Sequence, residues 1–170
     1  MKKASVGLIG VLILLFSFQS AWSQKEKFHS IFIYNFSKYV KWPEGKTDGK
    51  FVIGVYGSSP IEKDLMAMAS AKKVNGMAIE VKKFNSTTGL DDCHIIYVSS
   101  SASNEINNII SSTEDHPVLI VTDKPGLAKK GAAINFVDQG GKIKFELNQH
   151  NAEARGLKVA GSLVSLAIIV

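Results

Sequence analysis

The chain has 170 residues, of which 20 are Lys or Arg and 15 are Asp or Glu, so its formal charge is +5. Its lysine pairs, such as Lys72-Lys73 and Lys129-Lys130, are scattered along the sequence. This pattern is typical of solvated edges and helix ends, and it argues against a basic stripe that binds nucleic acid. The single cysteine, Cys93, excludes an intramolecular disulfide, so stability must come from packing.

The first 23 residues have the pattern of a secretory signal peptide. Lys2 and Lys3 precede an apolar run from Val6 to Phe18, and Ala21-Trp22-Ser23 places small residues where signal peptidase cuts. The run is too short for a comfortable membrane span, although an uncleaved anchor is the alternative, and the absence of a cysteine after it argues against a bacterial lipoprotein. We therefore expect cleavage between Ser23 and Gln24, export to the periplasm, and one mature domain over residues 24–170 with a formal charge of +3.

The mature sequence begins with an unusually aromatic helical pattern. Its apolar residues recur at steps of three and four, which predicts a helix from Phe28 to Trp42 that ends at Pro43 and Gly45. The stripe consists of Phe28, Ile31, Phe32, Phe36, Tyr39 and Val40. Such a stripe usually packs on the protein's own core, which leaves Tyr34 and Trp42 as the residues that could reach a partner.

The middle of the chain alternates strand and helix patterns. Short β-branched runs predict strands at Phe51–Tyr56, Met77–Phe84, His94–Val98 and Val118–Thr122, and amphipathic stretches predict helices at Ile61–Lys72 and Asn104–Ser111. Ser59 is placed to cap the first of these helices and Pro60 to occupy its first position. Alternating βα units of this kind predict a sheet with parallel strands.

The last third predicts a hairpin and a closing helix. The segment Asp138-Gln139-Gly140-Gly141 joins two strand patterns. In the second strand, one face carries Lys142, Lys144 and Glu146 and is predicted to be exposed to solvent. An apolar helix follows from Gln149 to the C-terminus, either docked on the sheet or forming a dimer seam. The whole pattern predicts a single three-layer α/β/α domain with a mixed sheet, an N-terminal aromatic helix and a C-terminal apolar helix.

No pattern for a catalytic, cofactor or metal site is present. GxSxG, HExxH, CxxC and P-loop patterns are all missing from the sequence. The cluster Asp91-Asp92-Cys93-His94 has residue types that could hold a metal or activate a thiol, but successive residues entering a strand point to opposite faces. We interpret this cluster as the entry into a strand, with Cys93 as a small core residue; a reactive thiol or an interchain bridge is the alternative.

Six sequence blocks, taken in order, carry a resemblance to a known family. They read IYNFSKYVKWP, FVIGVYGSSP, DDCHIIYVSSS, PVLIVTD, GAAINFV and KIKFELN. Each block is weak alone, but their succession over nearly all of the mature chain, from Phe28 to Val170, resembles the YfiR family of periplasmic regulators.

The resemblance implies a non-enzymatic regulator and no cofactor. The best-known relative represses an inner-membrane diguanylate cyclase through its periplasmic sensor region, which affects cyclic di-GMP and biofilm, and an outer-membrane lipoprotein relieves the repression. Relatives are dimeric and stabilised by disulfides, from which this chain departs because Cys93 has no intramolecular partner. We expect contacts with the partner from Tyr34, Trp42, Lys142 and Lys144.

Two other classes of function stay open from the sequence. A small-molecule or anion-binding module serving a sensor kinase or transporter would use the turn Gly57–Pro60, which ends a strand and precedes a helix N-terminus. An enzyme is the third class, although no nucleophile, base and orienting group can be assembled from the motifs.

Overall fold

The computed structural model describes residues 24–46 and 49–170. The predicted signal peptide and Ser23 lie outside the described residues, whereas Gln24 lies inside them. Every helix in the described part of the chain is too short or too polar to cross a membrane.

Five helices and ten strands make up most of the described chain. The helices are α1 (residues 24–39), α2 (Ile61–Ala71), α3 (Ile106–Ser112), α4 (Gln149–Glu153) and α5 (Gly161–Val164). The strands are β1 (Val40–Lys41), β2 (Phe51–Tyr56), β3 (Lys73–Val74), β4 (Met77–Phe84), β5 (Ile95–Val98), β6 (Leu119–Thr122), β7 (Ile134–Gln139), β8 (Lys142–Leu147), β9 (Lys158–Val159) and β10 (Ile168–Ile169).

An eight-stranded mixed sheet forms the centre of the domain. Its strand order is β10-β8-β7-β6-β5-β2-β4-β3, and β1 pairs separately with β9. Five neighbouring strands, β4, β2, β5, β6 and β7, are parallel to one another. Strand β8 runs antiparallel to β7, and β10 runs parallel to β8. If these five strands are numbered by their order in the sequence, their spatial order is 2-1-3-4-5. The direction of winding therefore reverses between β2 and β5. In such sheets ligands bind at the carboxyl ends of the strands near this reversal.

Helices cover both faces of the sheet, which confirms the predicted three layers. One core contains Ile33 and Phe36 of α1 together with Ile61 and Leu65 of α2. The other core lies on the opposite face and receives Ile106 and Ile109 of α3. Strands β2, β5 and β6 are buried throughout, which explains their unbroken apolar sequences.

The predicted C-terminal apolar helix is wrong. Helix α4 ends at Glu153, and Gly156 then adopts a left-handed conformation with φ of +71°, which stops the helix. The remaining residues form β9, the short α5 and β10. Strand β10 lies beside Glu146 and Leu147 of β8, so pairing with the sheet prevails over helix formation in this apolar segment.

The first helix is confirmed, but its end and its buried face differ from the prediction. It ends at residue 39, because Val40 and Lys41 pair with β9 instead of continuing the helix. Phe28, Ile31 and Tyr39 are exposed, so the predicted stripe is only partly core. The buried face includes four polar residues, which are Glu26, His29, Ser30 and Ser37. The helix carries more apolar side chains than one face can hold, and its buried side is partly polar.

Candidate functional site

Tyr34 and Trp42, the two aromatic candidates for partner contact, are both half-buried and make contacts within the domain. The Tyr34 hydroxyl donates to the carbonyl oxygen of Lys73 in β3 at 3.3 Å, and Lys38 lies 5.6 Å from its ring centre. Trp42 donates from Nε1 to the carbonyl oxygen of His94 at 3.2 Å and packs edge-on against Phe51. Each residue therefore joins two segments of the fold.

The two lysine candidates, Lys142 and Lys144, are exposed on β8. Lys142 lies opposite Gln139, where β7 ends, so it is at the carboxyl edge of the parallel strands. Trp42 contacts His94, which precedes β5 at the opposite, amino edge. Tyr34 contacts β3, which lies far from β8 in the strand order. The structure therefore does not bring the four candidate residues together on one surface.

A groove lies between the start of α1 and the β7–β8 hairpin. Its volume is about 750 Å³. It is lined by Gln24, Lys25, Phe28 and Phe32 from α1 and by Asp138, Gly141, Lys142 and Ile143 from the hairpin. The groove combines aromatic and aliphatic walls with two lysines and one aspartate at its rim. Of the four candidates named above, only Lys142 contributes to this groove.

The Asp91–His94 cluster connects separate segments of the backbone through hydrogen bonds of His94. His94 Nδ1 accepts the backbone N–H of Val52 at 3.0 Å, and Nε2 lies 2.5 Å from the Lys46 carbonyl oxygen. Both ring nitrogens are therefore occupied by backbone groups, so neither is free to bind a metal. Burial lowers the pKa of His94, which favours this neutral ring. Within residues 24–46 and 49–170, no three His, Cys, Asp or Glu side chains are grouped to hold a metal ion.

Cys93 is fully buried in the second core and carries a free thiol. Burial raises its pKa to about 12, although Lys46 and Lys82 oppose the shift. A thiol with so high a pKa is almost entirely protonated at neutral pH and is a poor nucleophile. The interpretation of Cys93 as a core residue is the one that this environment supports.

A cluster of buried polar side chains lies at the carboxyl edge of the parallel strands. Glu26 and His29 come from α1, Tyr97 is the next-to-last residue of β5, and Asp123 follows β6 directly. Three buried atoms of this cluster have no hydrogen-bond partner in the described part of the protein: Glu26 Oε2, His29 Nδ1 and the Tyr97 hydroxyl. Leaving one buried polar group unpaired costs about 1–3 kcal/mol, so three together need an explanation.

The electrostatics show that these groups share one environment. Burial raises the pKa of Glu26, and Asp123 and Asp64 add to that shift. Burial lowers the pKa of His29 to about 4, with Lys25 acting in the same direction and Asp123 against it. Burial also raises the pKa of Tyr97, followed by the charges of Asp123 and Glu26, and the Asp123 and Ser59 side chains lie near enough to its hydroxyl to act as weak hydrogen-bond partners. Asp123 influences the pKa of all three groups, so it belongs to the same cluster.

Serine hydroxyls surround this edge of the sheet. Ser100 Oγ donates to Asp123 Oδ1 at 2.6 Å, and Ser99 and Ser101 share a hydrogen bond of 2.9 Å. Pro60, and not Ser59 as predicted, occupies the N-cap position of α2. Ser59 Oγ accepts the backbone N–H of Ile61 at a long 3.4 Å. The edge therefore offers hydroxyl and carboxylate groups beside the point where the winding reverses.

Sequence reasoning missed both the groove and the cluster. Phe28 was assigned to the core, and Glu26 and His29 resembled ordinary polar residues of a helix start. A usable signal existed, because Tyr97 and Asp123 each lie at the end of a predicted buried strand, and the ends of parallel strands meet at one edge. The order of the strands, which decides which ends are neighbours, is not visible in the sequence.

Comparison with known proteins adds one match. Residues 26–168 match the protein family described as YfiR/HmsC-like (DUF4154). No curated protein matches the chain.

Proposed function

Because the chain belongs to the YfiR/HmsC-like family, we propose that it is a periplasmic, non-enzymatic regulator that binds and represses a membrane diguanylate cyclase. The family is one of regulators of diguanylate cyclase signalling rather than of catalysts. The specific partner is an inner-membrane cyclase whose periplasmic sensor region contacts this domain, and an outer-membrane lipoprotein relieves the repression by capturing it. The predicted signal peptide delivers the chain to that compartment.

The groove beside α1 is the observation that carries this proposal. Phe28 is 45% exposed although it is a large aromatic residue, and it lines the groove together with Phe32 and Ile143. Exposed aromatic side chains in a concave surface are typical anchors of protein interfaces. Lys25 and Lys142 at the rim favour a partner segment that combines apolar and acidic side chains.

Repression needs binding energy but no chemistry. A domain that binds only the inactive state of a sensor shifts the sensor toward that state by its differential affinity. About 5.5 kcal/mol of differential binding moves a switch from 1:99 to 99:1, and a protein interface of standard size supplies this. Sequestration of the domain by another partner then restores activity.

The proposal is tested by charge substitution in the groove. We expect Phe28→Asp, expressed from the native locus, to raise cellular cyclic di-GMP and biofilm to the level of a gene deletion. Met66→Asp is the matched control, because Met66 on α2 is equally exposed, at 48%, but does not line the groove. A photo-crosslinking residue at position 28, and not at position 66, should capture a membrane protein that contains a cyclase domain.

Two results would contradict different parts of the proposal. If deletion of the gene leaves cyclic di-GMP unchanged and neither position captures a membrane protein with a cyclase domain, the regulatory function is wrong. If deletion raises cyclic di-GMP but Phe28→Asp behaves like the wild type, the function stands and the groove is not the contact surface. Folding of both variants is checked by circular dichroism.

A further inference from the structure

The buried polar cluster at the carboxyl edge is not explained by the fold or by the proposed function. Glu26, His29 and Tyr97 are 5%, 1% and 0% exposed, and each has a side-chain atom that forms no hydrogen bond with the described residues. We propose that this cluster, together with Asp123, binds the ammonium group of a small primary amine. This proposal does not depend on the regulatory function.

The hydrogen-bonding inventory matches an ammonium group. Glu26 Oε2 and the Tyr97 hydroxyl can each accept a hydrogen bond, and His29 Nδ1 accepts one when the ring proton is on Nε2. A primary ammonium carries three N–H donors and no acceptor. An ammonium group in this cluster would therefore donate to Glu26 Oε2 and His29 Nδ1, which have no partner among the described residues, and to the Tyr97 hydroxyl, whose contacts with Asp123 and Ser59 fall short of hydrogen-bond geometry.

The charges of the cluster favour a cation over an anion. Asp123 and Asp64 both raise the pKa of Glu26, and Lys25 opposes them. Lys25 is 3.9 Å from Asp123 Oδ2, and its side chain is 46% exposed at the rim, so it compensates the buried carboxylates only weakly. An anion, which the turn Gly57–Pro60 suggests from its sequence, would meet two or three carboxylates here. A bound cation would instead balance the negative charge that Lys25 leaves largely uncompensated.

Binding should release a proton. Burial and the neighbouring carboxylates raise the pKa of Glu26, so in the empty site Glu26 keeps its proton to a higher pH than a free glutamate does. A cation favours the ionised carboxylate and lowers that pKa, so the amine affinity rises with pH across this titration. His29, whose pKa is about 4, is mostly neutral above about pH 5 and keeps its acceptor there.

The test uses methylammonium chloride as the probe, followed by NMR of the intact mature protein. A ligand of two heavy atoms cannot bind much more tightly than about 10 mM, so the titration runs to about 100 mM against sodium chloride at equal ionic strength. We expect saturable shifts of the Tyr97 and His29 ring signals. Tetramethylammonium chloride, which has no N–H donor, should produce none.

Tyr97→Phe removes only the hydroxyl and should weaken binding about tenfold or more. Tyr56→Phe is the matched control, because Tyr56 is buried in the core on the opposite face, and it should bind like the wild type. Asp123→Asn is a second variant that should also lose binding, in case Tyr97→Phe is poorly folded. The proposal is overturned if methylammonium gives no saturable shift, if tetramethylammonium binds equally well, or if folded Tyr97→Phe binds unchanged.

Discussion

His94 shows how one side chain can join distant parts of this chain. Its ring links the N–H of Val52 in β2 to the carbonyl oxygen of Lys46. Its own carbonyl oxygen accepts from Trp42 Nε1 and from the N–H of Leu119. The residue types of the Asp91–His94 cluster suggested a metal or a thiol site, but the backbone partners make the histidine a structural element. The sequence showed the chemistry that was available and not the partners that use it.

Replacing His94 should therefore destabilise the domain. We expect His94→Ala to lower the free energy of unfolding by about 2–4 kcal/mol, because the buried N–H of Val52 loses its acceptor and a cavity is left. Urea denaturation at pH 7 measures this loss. His116→Ala is the control, since His116 is exposed and its replacement should change stability by less than about 0.5 kcal/mol. Equal stabilities of the two variants would contradict the structural role of His94.

Helix α1 is the element that connects the groove to the polar cluster. Lys25 and Phe28 line the groove, whereas Glu26 and His29, on the same turns, are buried in the cluster. Helical periodicity predicted that the segment is a helix, because apolar residues recur at the right spacing. It could not predict which side is buried, because that depends on the sheet edge below. The polar side of α1 faces an edge that is itself polar.

The docking of α1 should weaken in acid. Burial lowers the pKa of His29 to about 4 from an ordinary 6.5, so the unfolded chain binds a proton first as the pH falls. The contribution of neutral His29 to the free energy of unfolding is therefore fully present above pH 6.5. It decreases as the pH falls to about 4, by up to about 3 kcal/mol. Glu26 acts in the opposite sense: its raised pKa stabilises the fold at low pH, and that contribution is lost as the pH rises through it.

The two contributions are separated by substitution. We expect His29→Phe, which keeps an aromatic ring stacked on Phe136, to remove the acid-dependent loss, so that its stability exceeds that of the wild type more at pH 4.5 than at pH 7. The Glu26→Gln variant should gain the most free energy of unfolding, relative to the wild type, at pH 7. Urea denaturation at several pH values measures both, and His150→Phe, at an exposed histidine, is the control. Parallel pH profiles for wild type and His29→Phe would disprove the assignment.

At the scale of the whole molecule, the sequence predicted the parts that local pattern decides. The buried strands β2, β5 and β6 were found because their apolar runs are unbroken, and the hairpin because Gly140 and Gly141 join two strand patterns. The segment after Gly156 was missed because short elements such as β10 form only against an existing strand, here β8. The cluster was missed for the same reason, since Glu26, Tyr97 and Asp123 meet only when the strands are in order.

The position of α1 between groove and cluster predicts coupling between the two sites, if the cluster binds amines as proposed. A ligand that satisfies Glu26 and His29 should hold the first turns of α1 more firmly, and those turns also carry Phe28. Any effect of the amine on partner binding must then be matched by an effect of the partner on amine binding. We expect methylammonium at about 100 mM to slow amide hydrogen exchange about threefold or more in residues 24–33.

The coupling is distinguished from general stabilisation by where the exchange slows. Strand β4 lies near the edge of the sheet opposite the β7–β8 hairpin, so its amides should exchange at an unchanged rate. The Tyr97→Phe variant should lose the protection of α1. Uniform slowing in α1 and β4 would mean that the amine only stabilises the whole fold. Binding without any slowing in α1 would leave the amine site intact but would show that it does not communicate with the groove. Local protection of α1 would make the cluster a control point for the surface that carries Phe28.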